Sequence, residues 1–152
     1  MPDAVTISNS SGLIALEAIG RLDLLRQLYG TVLIPPAVAQ ECGSAVAGWM
    51  QIQPVQNQGM VQSLRINLGH GESEAIALAT EVPAARVILD DKKARRIARQ
   101  LSLPVTGLLA VLLQAKQQGY VSSLREIIAE LAAARFFLSD ALADEALRQA
   151  GE

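Results

Sequence analysis

Oxygen-bearing side chains stand where the predicted strands end and where the predicted helices begin. Asn9 follows a strand predicted over residues 4–8, and Asp90 and Asp91 follow a strand predicted over residues 86–89. The ligand crevice of an open α/β sheet lies beyond the carboxyl ends of its strands, so these side chains can meet there. Hard cations such as Mg²⁺ prefer oxygen ligands, and the pattern therefore points to metal-dependent chemistry on phosphates. The full candidate set is Asn9, Glu41, Glu72, Glu74, Asp90 and Asp91.

Two neighbouring aspartates, Asp90 and Asp91, compete for one structural role. Either side chain can cap the helix that is predicted to begin at Lys92. Capping accounts for one of them but not for both, because adjacent side chains leave the end of a strand in different directions. We assign Asp91 to the site and keep Asp90 as the alternative ligand.

Glu72 and Glu74 lie two residues apart on the helix predicted over residues 69–82, about 200° apart around its axis. They cannot both face one crevice. Glu72 fits the first turn, where the helix dipole favours an anion. Glu74 lies next to Ala75 in an apolar stretch, where a carboxylate is costly unless it is paired or metal-bound. We favour Glu74 as the ligand and expect Glu72 to face elsewhere. For Glu41, a solvent-exposed surface residue is the alternative.

The basic residues are concentrated in one segment: six of the thirteen fall within residues 86–99. Lys92, Arg95 and Arg99 share one face of the predicted helix. A solvated outer face is the alternative to a phosphate-contacting edge beside the acids. No aromatic residue is interleaved with these basic residues, which predicts weak base stacking.

The composition is that of one globular domain over residues 1–152, with 51% hydrophobic residues and a mean hydropathy of +0.28. The net charge of −2 excludes a strong polyanion binder, so any nucleic-acid site must be a local patch. The single Cys42 excludes an internal disulfide and fits the cytoplasm, and the start Met1-Pro2-Asp3 predicts no signal peptide. No apolar run is long enough to span a membrane. A lone His70 leaves little support for a Ser-His-Asp mechanism, and we expect it to be a loop residue.

Short apolar strands alternate with helices along the whole chain. This order predicts an α/β fold in which a short parallel sheet is covered by helices on both faces, with helix dominating.

Four segments form a more specific combination. They are Ile7-Ser8-Asn9-Ser10-Ser11-Gly12-Leu13, Ile34-Pro35-Pro36-Ala37-Val38-Ala39-Gln40-Glu41, Gly69-His70-Gly71-Glu72-Ser73-Glu74-Ala75 and Leu89-Asp90-Asp91-Lys92-Lys93-Ala94-Arg95. Together with the C-terminal helices they resemble the PIN-domain nucleases, specifically the short prokaryotic VapC-like branch called DUF3368. The resemblance covers nearly the whole chain.

The resemblance implies a three-layer α/β/α sandwich with a short central parallel sheet. It implies a Mg²⁺- or Mn²⁺-dependent endoribonuclease, often the toxin of a toxin–antitoxin pair, with RNA as substrate, a small antitoxin protein as partner and a homodimer as the assembly. The acidic quartet of the family maps to Asn9, Glu41, Glu74 and Asp91, and Asn9 stands in the place of an aspartate. Ser10 or Ser11 would orient a ligand or the phosphate.

Two rival functions remain on the sequence alone. One is a PIN-like module that binds RNA or a protein but cuts slowly or not at all, which the neutral Asn9 favours. The other is a phosphatase with an aspartyl nucleophile, and it is disfavoured because no aspartate ends the first strand.

Overall fold

The computed structural model describes residues 5–152. The predicted first strand residue, Ala4, and the Met1-Pro2-Asp3 start lie outside the described residues. The strands are β1 (Val5–Ser8), β2 (Val32–Ile34), β3 (Gln51–Ile52), β4 (Ala85–Ile88) and β5 (Val105–Thr106). The helices are α1 (Ser10–Ala18), α2 (Asp23–Tyr29), α3 (Pro36–Cys42), α4 (Gln58–Leu64), α5 (His70–Glu81), α6 (Lys92–Gln100), α7 (Leu108–Gln117), α8 (Leu124–Ala133) and α9 (Asp140–Gln149), and a 3₁₀ turn spans Gly43–Ala45.

The sheet reverses its strand order at its centre. The order is β3-β2-β1-β4-β5 and every neighbouring pair is parallel. The chain builds outward from β1 to β2 and β3, then returns to the other side of β1 to place β4 and β5. Crossover helices leave β1 and β4 toward opposite faces at such a reversal, which opens a crevice at the carboxyl ends of these two strands. Asn9 follows β1 and Asp90 lies two residues beyond β4.

Successive residues of each strand point to opposite faces, which gives the sheet two separate apolar cores. In β4 and the residue after it, Ile88 packs with one core, whereas Val87 and Leu89 pack with the other. The first core contains residues of α1, α2, α3, α7, α8 and α9, and the second contains residues of α4, α5 and α6. The predicted three-layer α/β/α sandwich with a short parallel sheet is confirmed.

The helix α1 begins earlier than the pattern of apolar residues predicts. Apolar spacing predicts a helix from Leu13, but the helix begins at Ser10, directly after the strand. Its first turn contains the polar residues Ser10 and Ser11. A pattern of apolar residues cannot predict a helix turn that contains none at these positions.

Within residues 5–152, no helix has both the length and the apolar character needed to cross a bilayer.

The helix α5 is held by the second core, and a paired truncation tests this packing. Ile76 is 0% exposed in that core, whereas Ile66 is 81% exposed. We expect Ile76→Ala to lower the free energy of unfolding by about 2–5 kcal/mol, through lost burial and a residual cavity. Ile66→Ala is the matched control and should change it by less than about 0.5 kcal/mol. Urea denaturation followed by circular dichroism measures both, and equal effects would contradict the assigned core.

Candidate functional site

Asn9 lies at the floor of the crevice, between the ends of β1 and β4. Its backbone N–H donates to the carbonyl of Ile88 at 3.1 Å, and the residue is only 3% exposed. Its side-chain Nδ2 donates to Ser11 Oγ at 3.0 Å, but its Oδ1 is buried and has no hydrogen-bond partner. An unsatisfied buried acceptor costs about 1–3 kcal/mol, so this oxygen is a place where a ligand could repay that cost.

The first turn of α1 holds two carboxylates that come from distant parts of the chain. Ser10 Oγ donates to Glu41 Oε1 at 2.9 Å, and Ser11 Oγ donates to Asp90 Oδ2 at 3.2 Å. Asp90 Oδ1 also accepts from the backbone N–H of Leu108 at 2.7 Å, at the start of α7. Ser10 and Ser11 therefore hold the carboxylates of Glu41 and Asp90 close to Asn9, the residue whose side-chain oxygen has no partner.

Of the two adjacent aspartates, the structure gives the capping role to Asp91. Its Oδ2 accepts from the backbone N–H of Ala94 at 2.9 Å, the geometry of an N-cap for α6. Asp90, the alternative in the sequence analysis, is the aspartate bound to Ser11. The two side chains point in different directions from the end of β4, and these directions determine which aspartate caps α6. The sequence alone does not show these directions.

Glu74 is held by the protein rather than left open in the crevice. It is 7% exposed, its Oε1 accepts from the backbone N–H of Ala37 at 2.8 Å, and its Oε2 lies 3.5 Å from His70 Nε2. Ala37 stands in the first turn of α3, the helix that carries Glu41. The sequence analysis expects a buried carboxylate to be paired or metal-bound. Here the carboxylate of Glu74 is paired, and its partners are the backbone N–H of Ala37 and the side chain of His70.

Glu72 stands in the first turn of α5, where its carboxyl feels the negative charge of other acids. The pKa of its carboxyl is raised above the usual range, first by burial and then by the negative charge of Asp91. Glu41 and Asp90 raise this pKa further, while the backbone N–H of Gly69, donating at 3.4 Å, opposes the rise. The carboxyl of Glu72 is therefore held at the start of α5 within the field of Asp91, Glu41 and Asp90.

The single metal-centred cluster expected from the sequence is not formed in the described part of the chain. Among residues 5–152, no three aspartate, glutamate, histidine or cysteine side chains are close enough together to hold one ion. The reason is local: Asp90, Asp91 and Glu74 each accept from a backbone N–H at a helix start, which draws them toward different helices.

Gly71 leaves room for the Glu41 carboxylate. A Cβ atom at Gly71 would overlap Glu41 Oε1, and residue 71 is buried in the first turn of α5. The glycine therefore permits α3 and α5 to approach closely enough for Glu41 to reach Ser10. Sequence reasoning missed this role, although two glycines around His70 are a visible signal of close backbone approach.

A groove of about 1070 Å³ leads away from the crevice. Ser11 and Asp90 line it, and so do the basic residues Lys92, Arg95 and Arg99. Arg95 also donates to the carbonyl of Asp90 at 3.1 Å. The lining also contains Phe136 and Phe137, which the sequence analysis did not connect with the basic helix because they lie about forty residues further along the chain.

The sequence profile of the family DUF3368, described as a PIN domain, matches residues 5–152. No curated protein and no solved structure matches the chain.

The contact between Gly71 and Glu41 can be tested without touching an acid. Gly71→Ala places a methyl group where the Glu41 carboxylate lies, so the carboxylate must leave Ser10. Alanine is favoured over glycine in a helix by up to about 1 kcal/mol, and we expect no loss of unfolding free energy. We expect a smaller rise in melting temperature on adding Mn²⁺ than in the wild type.

The matched control is Gly59→Ala, at the same helix position in α4. A Cβ atom there meets only Asn57 Oδ1 at 3.5 Å, an ordinary contact. This variant should keep the full Mn²⁺ response. An unchanged response in Gly71→Ala would place Glu41 outside the reach of the ion.

Proposed function

The chain belongs to the DUF3368 family of PIN domains, and on that premise we propose that it is a divalent-metal-dependent endoribonuclease. The observation that carries the proposal is the buried Oδ1 of Asn9, which has no partner at the floor of a crevice lined by oxygen donors. A hard cation is the ligand that would satisfy such an oxygen.

The donor chemistry around Asn9 fits Mg²⁺ or Mn²⁺. The groups that would hold the ion are Asn9 Oδ1, Asp90 and Glu41, all oxygen ligands tied to the first turn of α1. Glu72 and Asp91 add negative charge nearby. The carboxylates do not enclose one ion by themselves, so water would complete the shell, as is usual for Mg²⁺. Glu74 acts as a positioning residue that fixes the start of α3.

A divalent ion bound here would lower the pKa of a water and polarise the scissile phosphate. The chain itself holds the carboxylates in place through Ser10 and Ser11, and it presents Lys92 and Arg95 to the flanking phosphates. No side-chain nucleophile is needed, which agrees with the state of the only cysteine: burial raises the pKa of the Cys42 thiol to about 11, so it stays protonated at neutral pH.

We place this activity in the cytoplasm, as the toxin of a toxin–antitoxin pair. RNA is the substrate, a small antitoxin protein is the inhibitory partner and a homodimer is the assembly. The support is the family and the single buried cysteine, which suits a reducing compartment.

A second function, a PIN-like module that binds RNA without cutting it, is favoured by two observations. Asn9 supplies no negative charge, and the carboxylates of Asp90 and Asp91 already accept from backbone N–H groups. Both features weaken the demand for a cation.

Cleavage of a long RNA tests the proposal and ranks the two aspartates. We expect the wild type to cut with Mn²⁺ or Mg²⁺ and to stop with EDTA. Asp90→Asn should slow cutting by at least about 100-fold, because even the partners of metal ligands are worth about 10- to 100-fold. Asp91→Asn should cost less, because asparagine retains the N-cap of α6.

The control for these aspartates is Asp23→Asn, an exposed residue in the first turn of α2. It should cut at the wild-type rate. If Asp91→Asn is the slower of the pair, Asp91 is the main ligand. RNA that is bound but never cut by the wild type would favour the non-catalytic module.

Asn9→Asp tests whether position 9 touches the ion. A carboxylate of nearly the same volume adds one negative charge at a buried point, so we expect tighter Mn²⁺ binding by calorimetry and cutting at least as fast as the wild type. Without metal, the buried charge beside Asp90 should lower the unfolding free energy by about 1 kcal/mol or more.

Asn57→Asp is the matched control, because Asn57 caps α4 and aspartate caps equally well. It should leave both Mn²⁺ affinity and stability nearly unchanged. If Asn9→Asp leaves Mn²⁺ affinity unchanged as well, residue 9 is not a ligand.

A further inference from the structure

The groove beside the crevice, which we call the side groove, is lined by two chemically different sets of residues. They come from α6, the start of α7 and the connection from α8 to α9, together with Ser11 and Asp90. We call its basic residues the basic wall and its aromatic and aliphatic residues the aromatic wall. Its volume of about 1070 Å³ exceeds what a single metal ion and its waters need.

The basic wall is strongly unbalanced in charge. Among residues 5–152, five basic side chains and one carboxylate, that of Asp90, line the side groove. The chain as a whole carries a net charge of −2, so this excess is local. Such a field selects a polyanion and loses strength as salt rises. The five are Lys92, Arg95, Arg96, Arg99 and Arg135.

The aromatic wall is built by the end of α8. Arg135 adopts a left-handed conformation with φ of 68°, which turns the chain sharply after the helix. Phe136 then packs against the first core, while its neighbour Phe137 is 77% exposed at the side groove. Leu142 from α9 extends this wall and is 53% exposed. An exposed phenylalanine beside five basic groups is a surface for a ligand that is both charged and flat.

We propose that the side groove binds single-stranded RNA, with its phosphates along α6 and a base stacked on Phe137. The proposal rests on the proposed function, since the bound strand would lead to Asp90. It departs from the expectation of weak stacking: no aromatic residue is interleaved with the basic residues in sequence, but the fold places Phe137 in the same groove.

The chemistry of the two walls favours a single strand over a duplex. A base can stack on an aromatic ring only when it is unpaired at that step, and every base has a suitable face. A protein segment that filled the same space would have to be acidic along one side and apolar along the other. The test separates that occupant from RNA.

The experiment compares a strand with bases and one without them. Fluorescence anisotropy in EDTA measures binding of labelled oligoadenylate of about twelve nucleotides, and of an abasic deoxyribose-phosphate strand of the same length. Stacking is worth about 1–3 kcal/mol per base, so Phe137→Ala should weaken oligoadenylate binding roughly 5- to 100-fold. The abasic strand should change by less than about two-fold, and Phe137→Tyr should restore binding.

Two further variants complete the test. Arg96→Glu with Arg99→Glu should weaken both strands and flatten the dependence on salt, because both strands have the same phosphates. Tyr120→Ala is the control: this aromatic residue is 43% exposed outside the side groove and should change neither affinity. Phe137 is exposed, so its variants should unfold at the wild-type temperature.

The outcomes separate this proposal from the nuclease proposal. Equal loss for both strands in Phe137→Ala, or no loss for either, overturns the stacking site while leaving metal-dependent cutting intact. Binding of neither strand by the wild type at low salt overturns the whole groove assignment. If Phe137→Ala changes the oligomeric mass by light scattering and leaves oligoadenylate affinity unchanged, the aromatic wall belongs to a second copy of the chain and the proposal fails.

Discussion

The reversal of strand order between β1 and β4 is the constraint on which the remainder of the structure depends. β1 pairs with β2 on one side and β4 on the other, and the ladder continues past the strand ends through Asn9 N–H to the carbonyl of Ile88. Main-chain hydrogen bonds therefore fix the relative positions of the segments after β1 and β4, and this brings Asn9 next to Asp90. The crevice exists because the crossover helices separate at this point.

The acids near the crevice also stabilise the fold, through hydrogen bonds to the starts of three helices. Asp90 accepts from the start of α7, Glu74 from the start of α3 and Asp91 from the start of α6. A carboxylate that accepts from a helix N-terminus is stabilised by the N–H group and by the helix dipole. These contacts oppose the repulsion between neighbouring carboxylates, whereas the pKa of the Glu72 carboxyl is raised first by burial and then by the charge of Asp91.

Opposite charges are placed side by side along one path. The crevice is acidic, whereas the side groove that opens from Ser11 and Asp90 is basic. A cation in the crevice would attract a polyanion in the side groove, and the polyanion would attract the cation in return. The two charges would be separated only by residues of α1 and α6, so the attraction between them would favour the binding of both. The arrangement suits a substrate whose phosphates run from the basic wall to the acidic floor.

The sequence by itself determined most of the helices and strands, the parallel sheet and the layers of the fold. Alternation and helical spacing are local properties, and they located β4 and α5 to within about one residue. The tertiary structure alone decided which partner each of these acids takes: Asp90 accepts from Ser11, Asp91 caps α6 and Glu74 accepts from the start of α3. The sequence shows that the side chains of neighbouring acids diverge, but the rotation of each element about its axis is set by packing. Packing also placed Phe137 in one groove with the basic residues of α6, which no local pattern records.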